Sequence, residues 1–222
     1  MAMQEKAETT KVQDDPKARE LLRRAYEKSL KWGSEFKGFT ADVTFYGGEE
    51  QISGTVKGIS SRDVEVYIAD ETIGKWVRDQ VASIIGHRMG INFEEADGKY
   101  ALTLGDEDYA YGRLIYISGD GYNSTYRVKD DVIRQINRTM GHVKFTINIE
   151  EYTFTKDNRV LPKHYVVYYF SPESGELRGV ESYTEAFIYV GGFYLPEVRR
   201  VTSAKGGEVV TKTILFKNHK LL

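Results

Sequence analysis

Residues 143–149 read Val-Lys-Phe-Thr-Ile-Asn-Ile, and this stretch decides the fold. Val143, Phe145, Ile147 and Ile149 alternate with Lys144, Thr146 and Asn148, so one face of the segment is dry and the other wetter. Successive strand side chains point to opposite faces, and a period of two is the signature of a half-buried strand. Working outward, strands are expected near 99–104, 111–118, 122–128, 131–139, 142–155, 161–171, 176–190, 193–203 and 208–218. Between them stand turn signals such as Asp97-Gly98, Lys129-Asp130, Asp157-Asn158, Gly191-Gly192 and Gly206-Gly207. Several of these segments are long, and long strands twist until a sheet of about ten or more curls or closes.

Upstream, Phe39, Ala41, Val43 and Phe45 alternate up to Gly47-Gly48, a hairpin signal. Ile52 and Val56 mark a second strand, and Val64, Val66 and Ile68 a third. Two helices interrupt this pattern. Asp15-Pro16 pairs an N-cap carboxylate with a proline pre-set for the first turn. Ala18, Leu21, Leu22, Ala25 and Tyr26 then recur at helical spacing, and Gly33 is the expected stop. The second helix runs from Glu71 to Met89 with the stripe Ile73, Trp76, Val77, Val81, Ile84 and Ile85, and Gly90 ends it. Each stripe needs burial, and the concave face of a curled sheet supplies it. The expected fold is therefore α+β and predominantly antiparallel: a curled or unclosed barrel of about 11 strands with two helices on its concave face. It occupies one domain over residues 14–222, after a disordered tail over 1–13.

Composition narrows the function. With 31 basic and 33 acidic residues interspersed, there is no basic stripe to track a phosphate backbone, so nucleic acid is not the expected partner. The absence of cysteine excludes disulfides, thiolate catalysis and cysteine-bearing metal centres. No apolar run approaches the roughly 18 residues of a membrane span. The polar start MAMQEKAETTKVQDD lacks the apolar core of a signal peptide, which gives a cytoplasmic expectation. The 16 tyrosines suit pleated, half-buried surfaces whose hydroxyls meet water, or a sheet face that holds an amphipathic molecule.

Catalytic signals are missing. His87, His142, His164 and His219 show no metal-ligand spacing, and His87 beside Arg88 reads as a cation near a helix C-terminus. Glu94-Glu95 and Asp106-Glu107-Asp108 read as solvated turns, and Ser118-Gly119-Asp120-Gly121 as a hairpin rather than a phosphate cradle. No cofactor, metal or catalytic residue is expected. Arg127, Arg134 and Arg138, with Arg113 nearby, form the most telling cluster. Arg134 and Arg138 share strand parity and face one side, with Asn137 on the other. Arginines beside an apolar cavity would pair with a carboxylate or phosphate headgroup; ordinary cross-strand pairing with Glu150 and Glu151 is the plainer alternative.

The segments DDPKARELLRRAYEKS, FKGFTADV, WVRDQVASIIGHR, FEEADGKY, GRLIYISGDG, RQINRTMG and VGGFYLPEVRR resemble, in order, a cyanobacterial and chloroplast family catalogued as a domain of unknown function. The resemblance runs from Asp14 to Leu222. In layout the strand and helix order is similar to the unclosed barrels of the LolA and LppX lipoprotein carriers, which hold acyl chains under helices. That likeness implies a non-enzymatic protein holding a lipid or pigment. The implied cavity residues are Trp76, Val77, Ile84, Ile85, Arg113, Tyr126, Arg134 and Arg138. The alternative is a protein-interaction module at the surface of photosynthetic (thylakoid) membranes, with Phe193, Tyr194 and Leu195 of the GGFYLPEVRR hairpin facing solvent. An enzyme is the third and least favoured reading.

Overall fold

A computed structural model of the chain describes residues 12–222. The expected tail therefore lies outside the described residues, apart from the exposed Val12 and Gln13. Three strands come first: β1 (Phe39–Gly47), β2 (Glu50–Ser60) and β3 (Asp63–Tyr67). After the second helix the chain meanders through β4 (Ala101–Asp108), β5 (Gly112–Ser118), β6 (Thr125–Lys129), β7 (Val132–Met140) and β8 (Val143–Phe154). It continues through β9 (Val160–Phe170), β10 (Leu177–Val190), β11 (Phe193–Lys205) and β12 (Glu208–Leu221). All pair antiparallel in one 12-stranded sheet of order β3-β2-β1-β12-β11-β10-β9-β8-β7-β6-β5-β4. The seam is β1 against β12, with Val43 opposite Phe216 and Phe45 opposite Ile214, so the first hairpin extends the far side of the meander.

Turn chemistry sets the register. Asp130 and Asp131, at φ 56° and 57°, form the two-residue link between β6 and β7. Positive φ at both central residues matches the turn's twist to that of the strands. The sheet stays open between β3 and β4, and the β4 edge is blunted. Leu102 N donates to Asp14 Oδ1 at 2.8 Å, and Asp15 N donates to Leu102 O at 2.7 Å.

Both helices start on aspartate caps, Asp15 as expected and Asp70 in addition. Helix α1 (Pro16–Lys28) is capped by Asp15 and α2 (Glu71–Arg88) by Asp70, whose Oδ1 accepts from Ile73 N at 2.8 Å. α1 buries Ala18, Leu22 and Ala25 on one end of the sheet, against Leu102, Ile115, Ile117, Tyr126 and Val128. α2 buries Ile73, Val77, Val81, Ile84 and Ile85 on the other end, against Phe39, Val43, Phe45, Val56, Ile214 and Phe216. Full burial of each such side chain contributes roughly 1.5–3 kcal/mol. The fit is close at Gly58, where an added Cβ would come within 2.5 Å of Ile85 Cδ1.

One boundary differs from expectation. α1 stops at Lys28, not near Gly33, because the next residues pair elsewhere. Leu30 N donates to Val160 O at 2.9 Å and Trp32 N donates to Arg88 O at 2.7 Å. Residues 29–36 thus link the start of β9 to the end of α2, with Trp32 stacked on Phe36.

Candidate functional site: the concave strip between the helices

α1 lies on β4, β6 and β7, and α2 on β1–β3 and β12, while the flank of α2 reaches β10 and β11 through Trp76, Ser83 and Arg88, so β8 and β9 are the strands with the least helical cover among the described residues. Strand parity sends Phe145, Ile147, Tyr165, Val167, Tyr169, Glu181, Tyr183, Glu185, Arg199 and Val201 to the same face of this middle strip. Val167, Tyr183 and Val201 are buried there, while Phe145, Ile147, Tyr165, Tyr169 and Trp76 of α2 pack around them only partly buried.

The tyrosines organise the carboxylates. Tyr165 and Tyr183 stack with ring centroids 4.7 Å apart. Glu181 Oε2 accepts from Tyr183 OH at 2.6 Å and from Tyr169 OH at 2.8 Å. Glu185 Oε1 accepts from Arg199 Nη1 at 2.8 Å and from Tyr165 OH at 3.2 Å. Burial is the main cause that pushes the Tyr165, Tyr169 and Tyr183 hydroxyls well above the ordinary phenol range. They act as neutral donors.

A cluster of cations closes the end of the strip nearest residues 29–36. Arg88, the last residue of α2, and Arg199 of β11 are both buried, with Arg88 Nη2 3.7 Å from Glu185 Oε2. Lys31 Nζ donates to His87 O at 3.1 Å. Arg138 lies 3.5 Å from Asp97 Oδ1 and donates to Tyr126 OH, which itself donates to Asp97 Oδ2 at 2.8 Å. Burial first, and then Arg88, lower the Lys31 pKa to about 8. The His87 pKa falls to about 4, from desolvation and then from Arg88, Arg199, Lys31 and Arg138. The His87 side chain is exposed, so water tempers the desolvation and the four cations are the firmer cause.

The structure brings together some of the sequence-predicted residues and separates others. Tyr126 and Arg138 are in direct contact, and Arg134 shares their face with its guanidinium over the Tyr152 ring at 5.1 Å. Trp76 stands where the α2 core meets the middle strip, edge-on to Phe45. Val77, Ile84 and Ile85 are packed between α2 and the strands beneath it, on the sheet side of the helix. Arg113 turns to a separate groove of about 690 Å³ between α1 and β4–β6, floored by Leu21, Leu104 and Val128. Two arginines on its rim are already paired: Arg113 with Glu107 at 2.7 Å and Arg24 with Asp131 at 2.9 Å. A smaller groove of about 350 Å³ lies between β3 and the start of α2. Leu195 is fully buried in the α2 core and Phe193 packs edge-on against Phe36, so the GGFYLPEVRR hairpin does not present Leu195 to solvent. The bulge between Ala186 and Phe187 shifts the alternation on that hairpin.

Sequence reasoning missed Lys31, Arg88, Tyr165, Glu185 and Arg199. The signal was positional. Arg88 continues the buried series Ile73, Val77, Val81, Ile84, Ile85, and Glu185 and Arg199 share parity with the buried Tyr183 and Val201. A charge on a dry face was the mark to look for.

Comparison with known proteins adds a family and two remote likenesses in structure. The profile of the protein family of unknown function DUF3386 matches residues 13–222. No curated protein matches the chain. Among solved structures it is similar to a LolA superfamily protein from Nitrosomonas europaea at 13% identity, over 92% of this chain and 93% of that one, with a TM-score of 0.39. It is also similar to a DUF1329 family protein from Desulfovibrio piger at 9% identity, over 95% and 94%, with a TM-score of 0.29. No described helix is long and apolar enough to cross a membrane.

Proposed function

The chain belongs to the DUF3386 family, whose function is not known, and on that premise we propose that it is a non-enzymatic binding protein. It holds a lipophilic or amphipathic small molecule, a lipid or pigment, against the concave face of β8–β11. The observation that carries this reading is the contrast in cover. Both ends of the sheet have a helix laid over them, and the flank of α2 helps bury Tyr183, Glu185 and Arg199 on β10 and β11, while β8 and β9 keep Phe145, Ile147, Tyr165 and Tyr169 only partly buried. Apolar surface left open inside a concave fold is the kind of surface a ligand covers. Tyrosines suit an amphipathic guest, since each offers a flat apolar ring and a hydroxyl already anchored to Glu181 or Glu185. Native mass spectrometry of protein extracted gently from its host tests the reading. A reproducible non-covalent adduct, released on denaturation, is expected; a reproducibly empty protein would contradict it.

A second reading, an interaction module at a membrane surface, is favoured by one observation. The β7–β8, β9–β10 and β11–β12 hairpins turn at the same end of the meander and expose Met140, Val143, Leu177, Val209 and Val210. Replacing Leu177 and Val209 by aspartate should abolish recovery of the protein with host membranes under this reading, and leave recovery unchanged under the first.

A further inference from the structure

We propose that the end of the strip crossed by residues 29–36 seats an oxyanion, the carboxylate or phosphate headgroup of the guest, on Arg88 and Arg199 with Lys31 and Arg138. The inference rests on the binding role above and goes beyond it by fixing the headgroup's charge and its place in the fold.

Arg88 carries the case. Its side chain is 9% exposed, yet it makes no hydrogen bond among the described residues, and its Nε is buried without a partner. A guanidinium has five N–H donors and stays charged, so burying one without hydrogen bonds is costly. Among the described residues the only carboxylate near it is Glu185 at 3.7 Å, beyond hydrogen-bonding reach. Glu185 is already engaged by Arg199 and Tyr165. Arg199 is itself underserved, with a buried, unpartnered Nε and only long contacts from Nη2, 3.3 Å to Tyr165 OH and 3.5 Å to Ser83 Oγ. One carboxylate thus serves two buried guanidiniums.

The wider surroundings deepen the imbalance. Lys31 and Arg138 add two cations, and Asp97 adds one anion that Arg138 and Tyr126 already hold. Burial is the first cause of the fall in the His87 and Lys31 pKa values, and Arg88 beside both adds to it. A bidentate oxyanion supplies the missing acceptors, since guanidinium and carboxylate or phosphate match in a planar fork. The headgroup end is also lined for an apolar neighbour: Arg88 lies 5.4 Å over the Phe187 ring and Arg199 4.9 Å over Tyr183. From there Val167, Ile147, Phe145 and Trp76 continue the apolar surface along which a chain would lie.

Calorimetric titration of the full chain with dodecanoate, 1-dodecanol and inorganic phosphate tests the inference. Dodecanoate should bind about tenfold or more tighter than dodecanol, the increment of a charge-assisted hydrogen bond. Arg88→Met should shrink that ratio to within about threefold and leave dodecanol affinity unchanged, which also shows that the variant is folded. If Arg88→Met does not fold, Lys31→Met should reduce the ratio about threefold. Equal affinity for dodecanoate and dodecanol overturns the headgroup seat and leaves the binding role standing. Phosphate binding as tight as dodecanoate overturns the headgroup assignment in favour of a free anion. Binding of none of the three overturns both.

Discussion

Under α2 the concave face of the sheet carries Phe39, Val43, Phe45, Ile214 and Phe216, each at most 2% exposed. A few strands away, β8 and β9 place Phe145, Ile147, Tyr165 and Tyr169 on that same face, all only partly buried. Both regions follow one alternation and belong to one sheet, so geometry alone does not separate them. Cover does. Where a helix lies across the strands, its own apolar stripe fills the space, and large apolar groups with no hydrogen-bonding needs serve best. Over β8 and β9, where none of the described helices lies, the partly buried face meets water or a guest, and tyrosines anchored on carboxylates satisfy both an apolar and a polar neighbour. The boundary falls at Trp76, which belongs to both packing clusters.

The largest expected break in this comparison comes from the covered end. Phe45→Ala should destabilise the fold by about 3–5 kcal/mol in denaturant unfolding, because the space under α2 has no other occupant. Tyr183→Phe in the middle strip removes only the hydroxyl that donates to Glu181 and should cost about 1 kcal/mol. A loss at Tyr183→Phe as large as that at Phe45→Ala would erase the distinction.

The two helices offer a finer comparison, since both begin on an aspartate cap. Asp15→Ala and Asp70→Ala should each cost about 1 kcal/mol in the same measurement. Asp15→Ala leaves the bond from Asp15 N to the β4 edge intact, so its loss reports the cap alone.

The smallest effect is the most local. His87 should titrate below the ordinary 6.5 by NMR, and Arg88→Met should move it upward. Its folded-state pKa lies below its unfolded value, so from pH 6.5 down to the folded-state pKa the unfolded chain binds more protons. The stability present above pH 6.5 is therefore partly lost as pH falls through the folded-state pKa. His87 titrating near 6.5 in the intact protein would remove the positive surroundings on which the headgroup seat partly depends.

Much of the fold was legible in the sequence because its signals are local. The alternation in 143–149, the Asp15-Pro16 cap, the apolar stripe from Ile73 to Ile85 and the Gly-rich turns each act within a few residues, and they place both helices and the strand series. The early end of α1 was not legible, because Val160 and Arg88 draw residues 29–32 out of the helix from distant parts of the chain. The site was only half legible for a similar reason. Parity correctly put Arg134 and Arg138 on one face, and Arg138 meets Tyr126 and Asp97 there. It could not show that Arg88 meets the cross-strand pair Glu185 and Arg199, since Arg88 comes from α2 and reaches β10 and β11 only once the helix is laid on the sheet.

The central claim is that a guest lies on the strip between the helices, and the two tryptophans allow a direct test. Trp32 is 3% exposed and stacked on Phe36 beyond the strip, whereas Trp76 stands at its margin, about 18 Å along α2 from Arg88. Dodecanoate brominated at its terminal carbon should be titrated into the Trp32→Phe and Trp76→Phe variants while emission is followed. The account predicts saturable quenching of Trp76 in the first and none of Trp32 in the second. Unquenched Trp76, or equal quenching of both, would contradict it.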